Sequence, residues 1–300
     1  MNRAEELGSL GLTLAEQGKL DEAIATLREA VRLRPDFAQA QHNLGVALAH
    51  HGQPEEAIAC FRQALHSKPD YAEACYNLGN VLAEHKKRDE AVAAYRRALQ
   101  IKPDYFDAYN NLGLLLLDQA GSEKVSAGSE KVSDPRKTKG QTPFPVLSPF
   151  SPGEAAVLLQ QAVRLRPQAP EAHNNLGLAY AEAGRYAEGE ACYQQALRLN
   201  PGFADAHSNL GNAYKDQGRL EEAVASFGIA LAYQPEAVSA HWNRALAWLQ
   251  QGDFARGWPE YEWRWRRPQT PPRPFRQPRW DGSPLKGRSI LLWMEQGRAT

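Results

Sequence analysis

Six prolines stand on one ruler: Pro35, Pro69, Pro103, Pro167, Pro201 and Pro235 lie 34 residues apart, except for one interval of 64, which is one period plus an insertion of 30. A fixed period of this length corresponds to one helix–turn–helix unit, a pair of short helices that bury their apolar faces only by stacking on the next copy. Such a chain does not close a single globular core. It grows in one dimension and offers a long surface, which favours binding over chemistry.

With each proline counted as position 32, the other positions repeat as well. Position 8 is Gly11, Gly45, Gly79, Gly113, Gly177 and Gly211, each preceded by leucine. Position 20 is Ala23, Ala57, Ala91, Ala155 and Ala223, with Gly189 in the fifth unit. Position 24 is large (Leu27, Phe61, Tyr95, Leu159, Tyr193, Phe227), and position 27 is alanine throughout (Ala30, Ala64, Ala98, Ala162, Ala196, Ala230). Small residues at 8, 20 and 27 let the two helices of a unit, A and B, approach closely, and the large residue at 24 is expected to fill the space between units. Proline at 32 forces the preceding residue out of the helical region and turns the chain into the next unit.

Place by place this pattern resembles the tetratricopeptide repeat, over residues 4 to about 268. The resemblance implies an all-α fold, a right-handed superhelical solenoid of about seven helix pairs. The expected units are 4–37, 38–71, 72–105, 106–169 with a disordered insertion at 120–152, 170–203, 204–237 and a degenerate seventh at 238–268. A tail at 269–300 follows.

Composition removes several function classes. Lys plus Arg (35) equals Asp plus Glu (35), so no basic surplus points to nucleic acid or an anionic membrane. No apolar run approaches the roughly 18 residues of a membrane span, and the charged stretch from Met1 to Leu10 does not read as a secretory signal, which makes the cytoplasm the expected location. Cys60, Cys75 and Cys192 show no Cys-x-x-Cys spacing and are expected to be reduced thiols among apolar neighbours. His173, His207 and His241 recur at position 4 and read as part of the repeat; neither they nor the adjacent His50 and His51 have a completing metal-ligand spacing. No nucleophile constellation, phosphate-cradling glycine loop or paired carboxylate is visible, so neither catalysis nor a cofactor is expected.

Two segments break the repeat. Residues 121–126 (Gly-Ser-Glu-Lys-Val-Ser) are copied at 128–133 and run into a Pro-rich stretch, a composition that does not offset its own ordering entropy. The insertion reads either as a loop expanded by duplication or as a tethered docking or phosphorylation site at Ser148-Pro149 or Ser151-Pro152. At the other end, all seven tryptophans lie between Trp242 and Trp293. Gly257-Trp258, Tyr261-Glu262-Trp263-Arg264, Trp280-Asp281-Gly282, Leu285, Gly287, Ile290 to Trp293 and Glu295-Gln296-Gly297 resemble the junction in bacterial tetratricopeptide proteins that carry a glycosyltransferase-like domain after the repeats. That resemblance implies the start of a further domain.

Position 6 of helix A holds Asn43, Asn77, Asn111, Asn175, Asn209 and Asn243. An amide carries a donor and an acceptor together and pairs with an extended backbone without reading its sequence. The row is similar to the concave asparagine ladder of O-linked N-acetylglucosamine transferases, and by that resemblance these six residues are the expected peptide-binding site. The alternative is that each asparagine is solvated or ties one helix to the next. Position 13 (Glu16, Glu84, Asp118, Glu182, Asp216) and position 2 (Glu5, Glu73, Asp107, Glu171, Asp205) make helix A acidic, whereas helix B carries Arg28, Arg32, Arg62, Arg96, Arg97, Arg164 and Arg198. An acidic groove prefers a neutral or basic ligand; plain solvation of helix faces is the rival explanation. The expected function is a protein–protein interaction scaffold binding an extended peptide segment on the concave helix-A face; the alternative is the substrate-recognition half of a glycosyltransferase-like enzyme. If position 27 is a close helix–helix contact, Ala98→Leu overpacks it at a cost of about 1–3 kcal/mol; a thermal midpoint equal to that of the parent chain would remove Ala98 from that contact.

Overall fold

The computed structural model describes residues 3–127 and 152–267, and within them the chain is helical with no strand. Seven helix pairs follow one another: α1 (Arg3–Glu16) with α2 (Leu20–Leu33), α3 (Ala38–His50) with α4 (Pro54–Ser67), α5 (Ala72–Glu84) with α6 (Arg88–Ile101), and α7 (Phe106–Ala127) with α8 (Pro152–Leu165). Then come α9 (Pro170–Glu182) with α10 (Tyr186–Leu199), α11 (Ala204–Asp216) with α12 (Leu220–Tyr233), and α13 (Val238–Gln250) with the short α14 (Phe254–Tyr261), which ends in a 3₁₀ turn at Glu262–Arg266. Each helix packs on its partner and on the next pair, and no described helix touches one more than two places along the chain. This is the nearest-neighbour economy of a solenoid.

Close packing inside each pair follows from glycine at position 8. A Cβ built on Gly79 would lie 2.7 Å from the Tyr95 ring, and one on Gly211 would lie 2.7 Å from the Phe227 ring. The position-24 side chain therefore lies over the glycine of its own unit; the expectation that it fills the space between units is corrected to this contact within the unit. The alanines at positions 20 and 27 around it are fully buried, each 0 % exposed.

The turn from helix A to helix B has a second glycine, at position 15. Gly18, Gly52, Gly184, Gly218 and Gly252 adopt φ of 75–80°, and Lys86 stands in the same place at φ 60°. In all six of these turns the next residue's N–H returns to the carbonyl five residues back, as in Lys19 to Leu14 and Lys87 to Leu82, at 2.8–3.0 Å. That bond closes the open carbonyl end of helix A.

The fourth unit departs from its expected boundary. Helix α7 continues through Ala127, so residues 120–127, the first copy of the duplicated hexapeptide among them, extend helix A instead of interrupting it. Glu, Lys and Ala in this stretch are good helix formers. Residues 128–151, with the second copy, Ser148-Pro149 and Ser151, lie outside the described residues, as does the tail from 268 onward.

The seventh unit is held differently. Ala245 replaces the glycine at position 8 and is buried, and Tyr261 at position 24 stacks on Trp242 at 4.5 Å. Glu260 Oε1 accepts from His241 Nδ1 at 2.6 Å and from Arg244 Nε at 2.9 Å, and Trp263 stacks on His241 at 3.7 Å. Charge pairing and ring stacking do here what small-on-large packing does elsewhere.

Lys86 is the one described side chain other than glycine at positive φ, where a Cβ is disfavoured by about 1 kcal/mol. Lys86→Gly is accordingly expected to raise stability by up to about 1 kcal/mol; urea unfolding showing a loss instead would mean that Lys86 makes a compensating contact.

Candidate peptide-binding groove

The A helices α1, α3, α5, α7, α9, α11 and α13 touch one another in succession as well as their own B helices, so they form one continuous face. Positions 2, 5, 6, 9 and 13 lie along it. The structure links the expected asparagines into a series of rungs. Asn77 Nδ2 donates to His42 Nε2 at 2.9 Å, Asn111 Nδ2 to the Tyr76 hydroxyl at 3.0 Å, Asn175 Nδ2 to Asn110 Oδ1 at 2.9 Å, and Asn209 Nδ2 to Asn174 Oδ1 at 3.0 Å. In every case position 6 of one unit donates to position 5 of the unit before.

The two ends of the row differ. Asn43 has Gly8 at the corresponding place in the first unit and turns inward; it is 8 % exposed and its Oδ1 accepts from Gln39 Nε2 at 3.1 Å. Asn243 accepts from Lys215 Nζ at 3.4 Å. Apart from Asn43, the other five expected residues keep part of their surface open. No hydrogen bond reaches the Oδ1 of Asn77 or Asn209 among the described residues. At Asn77 and Asn209 the amide nitrogen is thus committed to the fold while the carbonyl oxygen remains an acceptor, whereas Asn175 Oδ1 accepts from Asn174 Nδ2 at 3.3 Å.

His42 sits inside this network. Nδ1 faces Asn43 Oδ1 at 3.2 Å and Nε2 receives the Asn77 proton, which assigns the neutral Nδ1–H tautomer. Burial pulls its pKa below the ordinary histidine value, against smaller opposing effects of the Asn43 bond and of Glu73.

Along its length the face changes character. Around units two to four it is aromatic: His42 lies 4.9 Å from Tyr71, and Tyr76 lies 5.0 Å from Tyr105 and 6.0 Å from Tyr95. Around units five to seven it is lined by amides and opens into two adjoining clefts of about 310 Å³ each. Asn209, Asn212 and Asn243 line both. Asp205 borders one cleft; Glu182, Asp216 and Lys215 border the other.

Several acidic positions are already spoken for. Glu5 pairs with Arg34 at 3.0 Å and Asp107 with Arg166 at 3.5 Å, both within their own units. On the B helices Arg28, Arg62 and Arg96 pair with Glu56, Glu90 and Glu154 of the following unit at 2.6–2.7 Å. Such exposed pairs contribute about 0–1 kcal/mol each and serve mainly to set register.

The recurring histidines have a structural role that spacing alone did not reveal. Nε2 of His173, His207 and His241 lies 2.9, 2.9 and 2.7 Å from the carbonyl oxygen of Pro167, Pro201 and Pro235, and Gln41 Nε2 donates to that of Pro35. Position 4 ties helix A to the turn that delivers it. Among the described residues no group of three His, Cys, Asp or Glu side chains is placed to hold a metal ion. Cys60, Cys75 and Cys192 are free thiols, and burial pushes Cys60 and Cys192 up to about 11. No described helix is long and apolar enough to cross a membrane.

A solenoid of paired helices with a continuous helix-A face defines a repeat-type binding protein. A tetratricopeptide-repeat family model matches residues 9–72, 51–106, 76–127 and 208–262, and related repeat models match 153–184 and 170–203. The chain belongs to the tetratricopeptide-repeat family. Among solved structures it resembles a tetratricopeptide repeat protein from Parabacteroides merdae (16 % identity, 87 % of this chain and 91 % of that one, TM-score 0.64). It also resembles PilW, a type IV pilus biogenesis factor (20 % identity, 76 % and 92 %, TM-score 0.60), and YrrB, described as a TPR protein with an unusual peptide-binding site (24 % identity, 71 % and 95 %, TM-score 0.53). At these identities the likeness concerns the fold. A search of curated proteins finds no match.

Because the His42 pKa is lowered on folding, the unfolded chain takes up the proton more readily. The stability that the neutral ring confers is complete above the unfolded value of about 6.5 and is lost as pH falls below it. Urea midpoints at pH 7 and pH 5 are expected to differ less for His42→Gln than for the parent chain; equal differences would place His42 outside the linkage.

Proposed function

We propose that the chain is a non-catalytic interaction scaffold that holds an extended segment of a partner protein against the helix-A face, with Asn77, Asn111, Asn175, Asn209 and Asn243 as the contacts and Asn43 as the inner end of the row. The observation that carries this reading is the geometry of the rungs. The amide nitrogens of Asn77, Asn111, Asn175 and Asn209 point along the array, and at Asn77, Asn111 and Asn209 this leaves the carbonyl oxygen as an acceptor, with rungs set at the spacing of packed helices, about 8–10 Å. An extended peptide covers that distance in about three residues at 3.2–3.4 Å each, so one backbone N–H falls within reach of each rung.

The acidic residues at the far end, Asp205, Glu182 and Asp216, favour a neutral or basic segment over a polyanion such as nucleic acid. Thiols held protonated by burial accord with a reducing, cytoplasmic setting. The family's general use as protein-binding scaffolds and the peptide-binding site named for YrrB support the same reading. The alternative, a recognition module for a glycosyltransferase-like enzyme, rests on the asparagine row, on Gly257-Trp258 and Tyr261 to Arg264, and on residues of the tail that lie outside the described residues.

The test is capture of phage-displayed random twelve-residue peptides by the purified chain. Asn111→Ala, Asn175→Ala and Asn209→Ala together are expected to lose at least about tenfold in capture. Because each change also removes a rung, stability should fall by about 1 kcal/mol per site, and urea titration sets conditions under which every variant is folded. Arg62→Ala with Arg96→Ala on the B helices is the control and should retain capture. Capture unaffected by the A-helix changes, or lost equally in the control, would reject the groove.

A further inference from the structure

The series of rungs breaks at one place. Position 6 donates to position 5 of the unit before in four successive steps, from Asn77 to His42, Asn111 to Tyr76, Asn175 to Asn110 and Asn209 to Asn174. The next step would run from Asn243 to Ser208, and among the described residues no hydrogen bond joins them. Ser208 is the smallest side chain at position 5 from the second unit onward. Its hydroxyl stands one bond nearer the backbone than the amide oxygen that Asn110 and Asn174 present. Asn243 Oδ1 accepts instead from Lys215 Nζ at 3.4 Å, which assigns the two ends of that amide and leaves Nδ2 without a partner.

Three polar groups stay open at the break. Asn243 Nδ2, the Ser208 hydroxyl and Asn209 Oδ1 make no hydrogen bond among the described residues, and none of them is one of the unpaired polar atoms that the fold buries. Each therefore reaches solvent, and all three residues line the same cleft of about 310 Å³. Asn243 Nδ2 requires an acceptor and Asn209 Oδ1 a donor, while the hydroxyl serves as either. An ammonium or guanidinium only donates and leaves Nδ2 unmet. A carboxylate only accepts, leaves Asn209 Oδ1 unmet and is repelled by the exposed Asp205 at the border of the cleft. An aliphatic side chain would cover all three and pair with none. A primary amide carries donor and acceptor on separate atoms, and it is the group that position 5 itself supplies in the fourth and fifth units.

We propose that the break between Ser208 and Asn243 is a subsite for a primary amide, where an asparagine or glutamine side chain of the bound segment completes the missing rung. Its oxygen accepts from Asn243 Nδ2 and its nitrogen donates to Asn209 Oδ1. The subsite rests on the groove reading above and gives that groove one position of side-chain specificity. From the second unit to the sixth, the rungs are closed from within the chain.

Ser208→Asn tests this directly, since it gives the sixth unit the amide that Asn110 and Asn174 give the fourth and fifth. The probe is a positional library of twelve-residue peptides in a Gly/Ser/Ala/Thr background, with glutamine, asparagine, glutamate or norleucine at one place at a time, assayed with the full chain. One place is expected to prefer glutamine or asparagine over both glutamate and norleucine by about tenfold. Glutamate has the shape of glutamine without its donor, so that pair isolates the amide. In Ser208→Asn the preference is expected to shrink to within about twofold; as a ratio measured on one variant, it does not depend on that variant's overall affinity. If Ser208→Asn does not fold, Asn243→Ser, which removes the open amide and installs the position-6 residue of the first unit, must give the same loss. Library binding without an amide preference, or a preference that survives the variant, overturns the subsite and leaves the groove standing. No binding by any peptide overturns the groove and the subsite with it.

Discussion

The contact between the position-8 glycine and the position-24 side chain is the constraint on which the other features depend. With no Cβ on Gly45, Gly79 or Gly211, a phenyl or phenol ring lies directly against helix A, and the two helices of a unit reach a separation that buries the alanines at 20 and 27 completely. Repeating that contact gives the first six units a common packing, and similar shapes stack with a similar offset. From the offset follow the rungs between positions 5 and 6, the B-helix ion pairs, and the bond from position 4 to the preceding proline carbonyl. None of these is strong alone. Their value lies in register, because in an array each interface is one term of a nearest-neighbour sum.

The asparagine row resolves an ambiguity that residue type alone leaves open. Binding to a ligand and bracing the next helix are not exclusive uses of one amide, because a primary amide has separate donor and acceptor ends. In Asn77 and Asn209 the nitrogen braces and the oxygen remains. Bracing also holds the acceptor still, which reduces the ordering cost that a flexible amide would add to binding. Asn43 shows the converse: with Gly8 in place of a partner in the preceding unit, the side chain folds back onto its own helix and its oxygen is consumed there.

The fold was legible in the sequence because its determinants are single residues at a fixed period. Gly, Ala and Pro recur every 34 residues, and their steric meaning does not depend on distant neighbours. The position-15 glycines were equally readable, with Lys86 and Ala120 the two departures from the pattern. What sequence did not reveal depends on pairs of positions in different units or helices. His173 recurring at position 4 is visible; that its partner is the carbonyl of Pro167 is a consequence of how the turn folds back. The charges read the same way: Glu5 and Asp107 belong to the same periodic set as Asp205, yet the first two are paired with Arg34 and Arg166 while Asp205 borders a cleft. The helical continuation of α7 to Ala127 is masked in the sequence because the duplicated, low-complexity composition of a loop and the local helix propensity of Glu, Lys and Ala coincide in the same residues.

Position 24 joins packing to hydrogen bonding. For the core, tyrosine and phenylalanine are interchangeable there, since both rings lie on the glycine at the same distance. For hydrogen bonding they are opposites, because the tyrosine hydroxyl emerges beside position 9 and the phenylalanine edge does not. Tyr95 therefore satisfies the acceptor of Asn80 where Phe227 leaves that of Asn212 buried without a donor. A repeat protein can in this way change the hydrogen bonding of one unit without altering the spacing of its helices, since the atom exchanged lies at the rim of the contact that sets the spacing. The same logic explains why an array of nearly identical units need not be a uniform surface: in units three and six the hydroxyl present on Tyr95 and absent from Phe227 decides whether the amide at position 9 finds a donor inside its own unit.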